Sequence, residues 1–175
     1  MKPIQPAISS SCIIYILAIF MIAGIPNIGQ STPPSRLYSG VPQTLPTTEA
    51  RLAGHNLTIA LARTSAEKAK GLMFVESLQE DFGMLFVYQS PRVMGFWMKN
   101  TKIPLDLIFF SDNLEINGWI KGMQPGYGIP EQSLPQYVSD LPAQYALELK
   151  DGSIDRLKLK IGDRLEIALT LLYSD

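Results

Sequence analysis

Cysteine and histidine are almost missing from this sequence. Its 175 residues include one of each, Cys12 and His55. Cys12 falls in an apolar N-terminal run, so the region expected to fold has no thiol. That region can form no disulfide, no thiolate zinc site and no cysteine nucleophile, and its stability must come from its core. One histidine is too few for a zinc site of nitrogen and sulfur ligands. A Ser–His–Asp triad would have to use His55, and no G-x-S-x-G elbow accompanies it. A surface histidine ahead of the first strand is the default reading. Charge of one sign is also lacking. Fifteen Lys and Arg face sixteen Asp and Glu, a net charge of −1. Without a basic excess or a Lys/Arg run, nucleic-acid binding has no electrostatic support. There is no charged tail.

Long hydrophobic runs are scarce as well. Cys12–Ile25 is an uncharged stretch of 14 residues. A membrane span needs about 20, so the stretch is sized as the h-region of a signal peptide, with Lys2 as its positive flank. Residues 1–30 are therefore read as an export leader, which places the protein in the periplasm or outside the cell. No A-x-A site follows, and only Gly24, Gly29 and Ser31 are small. An uncleaved anchor, the chain's one expected membrane contact, is the alternative. Cys12 lies inside the apolar run rather than just after it, which argues against a lipoprotein. Pro33, Pro34, Pro42 and Pro46, among Gly, Ser and Thr, predict an extended linker over residues 31–52. The folded domain is expected over residues 53–175, near the commonest domain size.

Within that domain short strands dominate. Leu57–Ala62 alternates and reads as a strand. Thr64-Ser65-Ala66-Glu67 is a capping box, and Gly71 ends the short helix it opens. Met84–Tyr88, Val93–Lys99, Leu105–Phe110, Leu114–Ile120, Ala143–Leu149 and Leu165–Tyr173 read as further strands. Leu105–Ile120 makes a hairpin through the Ser111-Asp112-Asn113 turn. Ser153–Lys160 is ambiguous between a helical turn and a strand. Gly122–Tyr137 holds Pro125, Pro130 and Pro135 and reads as a long loop, a common location for function. The expected fold is mainly β, a small single-domain barrel or sandwich with one or two short helices.

Several blocks occur in order: Gly71-Leu72-Met73, Gly83-Met84-Leu85-Phe86, Phe96-Trp97-Met98-Lys99-Asn100-Thr101, Ile103-Pro104-Leu105-Asp106, Tyr137, Ala146-Leu147-Glu148-Leu149 and Gly162-Asp163. Together they resemble the family catalogued as domain of unknown function 192, over roughly residues 57–167. The resemblance implies a small, mostly-β, often exported domain. It brings no established activity and no catalytic residues. The Gln124–Tyr137 loop is richer in Gly and Pro than the family pattern.

Phe96–Asp106 draws attention chemically. With Phe96 and Met98 toward the core, Trp97 and Lys99 face the other way. Lys99, Asn100, Thr101 and Asp106 offer donors and acceptors beside an indole platform, which suits a flat or sugar-like ligand. Tyr137 and the Gln124–Tyr137 loop would form a rim. The competing reading is a braced turn, with Asn100 and Asp106 pinning the backbone and Lys99 solvated. Asp106 and Glu148 are the obvious carboxylate pair for acid–base hydrolysis, each set in apolar surroundings. Strand alternation gives Glu148 a second reading, as an outward-facing carboxylate opposite Leu147 and Leu149. Met73, Met84, Met94, Met98 and Met123 could hold Cu(I) as thioethers, but methionine in apolar strands is ordinary core filler, and no metal or cofactor is expected. Gly122, Gly126 and Gly128 read as loop formers rather than a phosphate cradle. The function expected is an exported, non-enzymatic binding domain for a small molecule, glycan or peptide. The alternatives are a hydrolase using Asp106 and Glu148, and a membrane-tethered scaffold with a hydrophobic patch.

Overall fold

The domain begins earlier than its composition suggests. In the computed structural model, which describes residues 40–173, Thr47–Leu52 is already strand β1. It pairs antiparallel with β2 (His55–Ala62), from Thr47 opposite Ala60 to Leu52 opposite His55. Six residues expected in the linker are thus part of the sheet. The leader, Cys12 and the linker up to residue 39 lie outside the described residues. No helix among the described residues is long and apolar enough to cross a membrane.

The capping box forms as the sequence predicts. Helix α1 (Ser65–Lys70) starts where the Thr64 side chain accepts from the Glu67 amide and the Glu67 carboxylate accepts from the Thr64 amide. These bonds satisfy N–H groups that the first turn cannot pair. The helix stops at Gly71, whose φ of +46° suits a residue without Cβ and whose N–H bonds Glu67 O at 2.8 Å. The chain returns as β3 (Phe82–Arg92), parallel to β2.

The remaining strands and α-helices are β4 (Gly95–Phe96), β5 (Leu105–Phe110), β6 (Ile116–Met123), β7 (Tyr137–Val138), β8 (Ala143–Lys150), α2 (Ser153–Arg156), β9 (Leu165–Glu166) and α3 (Leu169–Leu172). Seven strands form one sheet in the order β6-β5-β8-β3-β2-β1-β9, and β4 pairs with β7 separately. The sheet curls into a half-barrel. Its two ends meet at an antiparallel bridge between Glu115 and Arg164, where Ile116 N–H bonds Asp163 O and Leu165 N–H bonds Leu114 O. The expected mainly-β class and the β5–β6 hairpin are present, with three short α-helices among the described residues. Two expectations change. Val93–Lys99 contributes only Gly95 and Phe96 as strand, in the small sheet. Leu165–Tyr173 is two residues of strand followed by α3, because the Leu169–Leu172 run is too short for periodicity to separate strand from helix.

Two hydrophobic clusters cover the two faces of the sheet. The first, enclosed by the curl, takes Leu52, Ile59, Leu85, Ile108, Phe110, Leu147 and Leu165. The second takes Met84, Phe86, Met94, Phe96, Met98, Leu107 and Phe109. Strands β5 and β8, in the middle of the sheet, are therefore buried on both faces. The five methionines among the described residues are all buried, four of them in the second cluster, as core filler. His55 is exposed at the start of β2.

Candidate functional site

Met98–Thr101 is a tight turn. Thr101 N–H bonds Met98 O at 3.0 Å, with Asn100 at φ +55°, a conformation asparagine tolerates better than most residues. The turn clamps two neighbours. Asn100 O accepts from Phe74 N–H at 2.8 Å, and Thr101 O accepts from the amides of Gly126 and Tyr127, both at 3.0 Å. Gly126 approaches so closely that a Cβ there would sit 2.3 Å from Met98 O. Asn100 is thus the brace that the turn reading predicts. Thr101 braces too, and also joins Trp97 and Lys99 in lining a cavity.

That cavity, about 220 Å³, lies over the second cluster. One wall is α1 and the residues after it, with Lys68, Lys70, Leu72 and Met73; β3 adds Phe86 and Tyr88, and β8 adds Glu148. The cap at Thr64 and the stop at Gly71 fix where this wall stands. Lys68 Nζ donates to Val87 O at 2.8 Å and lies 4.3 Å from the centre of the Tyr88 ring. Lys99 Nζ pairs with Glu131 and lies 5.0 Å from the Trp97 ring. Both contacts are of the cation–π kind. Lys70 is only 8 % exposed, and among the described residues its ammonium has just one contact, a long one of 6.0 Å to the Phe74 ring.

Glu148 is the least conventional member. It stands opposite Met84 on β3 and Leu107 on β5, so it shares their face of the sheet. The outward, solvated position suggested by alternation does not hold, because β8 is central and covered on both sides. Glu148 is 5 % exposed, and its Oε2 has no hydrogen-bond partner. Removal from water pushes its pKa up to about 8, since the charged form loses most from burial. At neutral pH the carboxyl is mainly protonated. Burial also raises the Tyr88 phenol and lowers the Lys68 ammonium.

Asp106 is elsewhere. It stands opposite Leu149, on the face of the first cluster, so the sheet itself separates it from Glu148. The two cannot flank one bond, and the expected acid–base pair does not form. Asp106 is 1 % exposed, and its carboxylate accepts from Gly122 N–H at 3.0 Å and Ile154 N–H at 2.9 Å. It thereby caps the start of α2 from a distant strand and ties down the irregular end of the β5–β6 ladder. Tyr137 does not line the cavity; its hydroxyl accepts from Gln124 N–H at 3.2 Å and its ring packs on the second cluster. Lys68, Lys70 and Tyr88 were not legible as site residues. Only Gly71-Leu72-Met73, a block carrying the family resemblance, pointed near them.

Fold and cavity define a class: a curled, mainly-β domain with a small pocket that holds lysines, aromatic rings and a buried carboxyl. The chain belongs to the domain of unknown function 192 family, described as an uncharacterized ACR, which it matches over residues 47–167. Solved structures similar to it include the following two. One is a candidate transcription regulator from Sinorhizobium meliloti 1021, at 32 % identity and a TM-score of 0.64, covering 71 % of this chain and 95 % of that one. The other is a protein of unknown function from Novosphingobium aromaticivorans DSM 12444, at 32 % identity and a TM-score of 0.64, covering 75 % of this chain and 96 % of that one. No curated protein matches the chain.

Proposed function

We propose that this is a non-enzymatic binding domain, acting after export, that holds a small molecule in the Glu148 cavity. The observation that carries the reading is the unpartnered Oε2 of a buried carboxyl lining that cavity. A buried polar atom costs roughly 1–3 kcal/mol when unsatisfied, and such groups call for an explanation. A ligand that pairs with it supplies one. Trp97, Tyr88 and Phe86 provide the apolar surface common to small-molecule sites, and the lysines provide direction. At about 220 Å³ the cavity is smaller than the roughly 300–1,000 Å³ of drug-sized pockets, which favours a small molecule over a glycan chain or peptide. A net charge of −1 without a basic run gives DNA readout no support.

A second reading, an enzyme using Glu148 alone, has in its favour a carboxyl that titrates near 8, suited to proton transfer. Native mass spectrometry of the full chain, purified from its own compartment beside a Trp97→Ala variant, tests both. A small mass retained by the wild type and missing from the folded variant supports binding. Steady conversion of that compound by the protein would instead make it an enzyme. Bare protein in both samples, even after incubation with small-molecule extract from that compartment, overturns the binding reading.

A further inference from the structure

The cavity contains two buried groups that would attract each other if both were charged, and they are not paired. Among the described residues the Lys70 ammonium makes no ion pair or hydrogen bond, and the Glu148 carboxyl makes none either. The other two lysines are already engaged, Lys68 with Val87 O and Lys99 with Glu131. We propose that the cavity takes a small carboxylate, one oxygen facing the Lys70 ammonium and the other accepting a hydrogen bond from the Glu148 carboxyl. This deepens the binding reading above and rests on it.

The chemistry favours this class on three grounds. Lys68 and Lys70 line the cavity without a carboxylate partner, Lys99 is paired with Glu131, and the one lining carboxyl is mainly neutral at pH 7, so the interior is positive and prefers an anion. One unengaged cation and one O–H donor match the two oxygens of a carboxylate. A phosphate carries a charge of about −1.5 to −2 and three strong acceptor oxygens, more than these two groups can satisfy. Finally, Trp97 and Tyr88 offer apolar contact to a short carbon skeleton.

A neutral Glu148 donates to a carboxylate, whereas an ionised one repels it. Affinity should therefore fall above the pH at which Glu148 loses its proton, about 8, by roughly tenfold for each further pH unit. The other charged or titratable groups facing Glu148 are Lys68 and Lys70 from α1, Tyr88 from β3 and Lys99 from the turn, with Arg92 over the Tyr88 ring. A Glu148→Gln variant, which can donate but cannot ionise, isolates the Glu148 contribution from theirs.

The test is isothermal titration calorimetry on the full chain between pH 6 and 9.5, in carboxylate-free buffer. The probes are acetate, pyruvate, succinate, inorganic phosphate and glucose. Expected are binding of at least one carboxylate at least tenfold tighter than phosphate or glucose, a loss of tenfold or more in folded Lys70→Met, and an affinity that falls above pH 8 in wild type but not in Glu148→Gln. The wild-type pH profile needs no variant, so misfolding of either substitution leaves the proposal falsifiable. Glucose or phosphate binding in preference to the carboxylates overturns the carboxylate assignment and leaves the binding reading standing. Silence from all five probes overturns the assignment too, and native mass spectrometry then judges the broader reading on its own.

Discussion

Replacing Glu148 with glutamine should stabilise the domain, and by an amount that depends on pH. In the unfolded chain Glu148 ionises near its usual 4.5, whereas in the fold it holds its proton to about 8. Between those values the unfolded state binds fewer protons than the native state, so stability falls as pH rises. The loss is complete above about pH 8 and absent below about pH 4.5. A separation of about 3.5 pH units, at roughly 1.4 kcal/mol each, makes the full loss on the order of 4–5 kcal/mol. That is a large share of the roughly 5–15 kcal/mol by which domains of this kind are stable. Glutamine keeps the shape and a hydrogen-bonding amide but does not titrate. Urea unfolding of both proteins at half-unit steps from pH 5 to 9 measures the difference. The variant should gain on the wild type by about 1.4 kcal/mol per pH unit up to pH 8, then hold a constant lead. Parallel curves across the range would refute the argument, because they would mean that Glu148 is ionised in the fold and compensated there.

Two further substitutions test the bracing. Asp106→Ala leaves the buried amides of Gly122 and Ile154 without their acceptor and should cost about 3 kcal/mol in urea unfolding, with retained ligand affinity in whatever fraction folds. An affinity loss out of proportion to the folded fraction would return Asp106 to the site. Gly126→Ala forces a methyl against Met98 O and should cost about 3 kcal/mol, because the obstacle is backbone and cannot rotate away. A thermal midpoint within a degree or two of wild type would show that the Met98–Thr101 turn yields easily.

Local signals were easy to read, and the site was not. The Thr64–Glu67 box, the Gly71 stop, the β5–β6 hairpin and the strands β2 and β8 each follow from neighbouring residues. Strand β1 was missed because TTEARL is mostly polar; it is a thinly buried strand held by β2 and β9, and pairing rather than hydrophobicity defines it. The outward position that alternation suggests for Glu148 fails because alternation reports sidedness only where one face meets water, and β8 is covered on both. Asp106 and Trp97 looked like partners because they are close in the chain, yet the intervening turn and strand send them to different sides of the sheet. Lys68 and Lys70 read as an ordinary basic helix end. Their place beside Glu148, some eighty positions later, is set by β3 pairing with both β2 and β8.

The seam at Glu115 and Arg164 bears on how the chain reaches its fold. Strand β1 must wait for β9, more than a hundred residues later, and the start of β6 waits for the same segment. Contacts this remote are entropically costly to close and tend to form late. Until residues 163–166 arrive, β1 and β6 both present unpaired backbone, the kind of strand edge that recruits other chains. A product shortened before residue 163 would lose few core side chains but both of its protected margins, and self-association is the expected result.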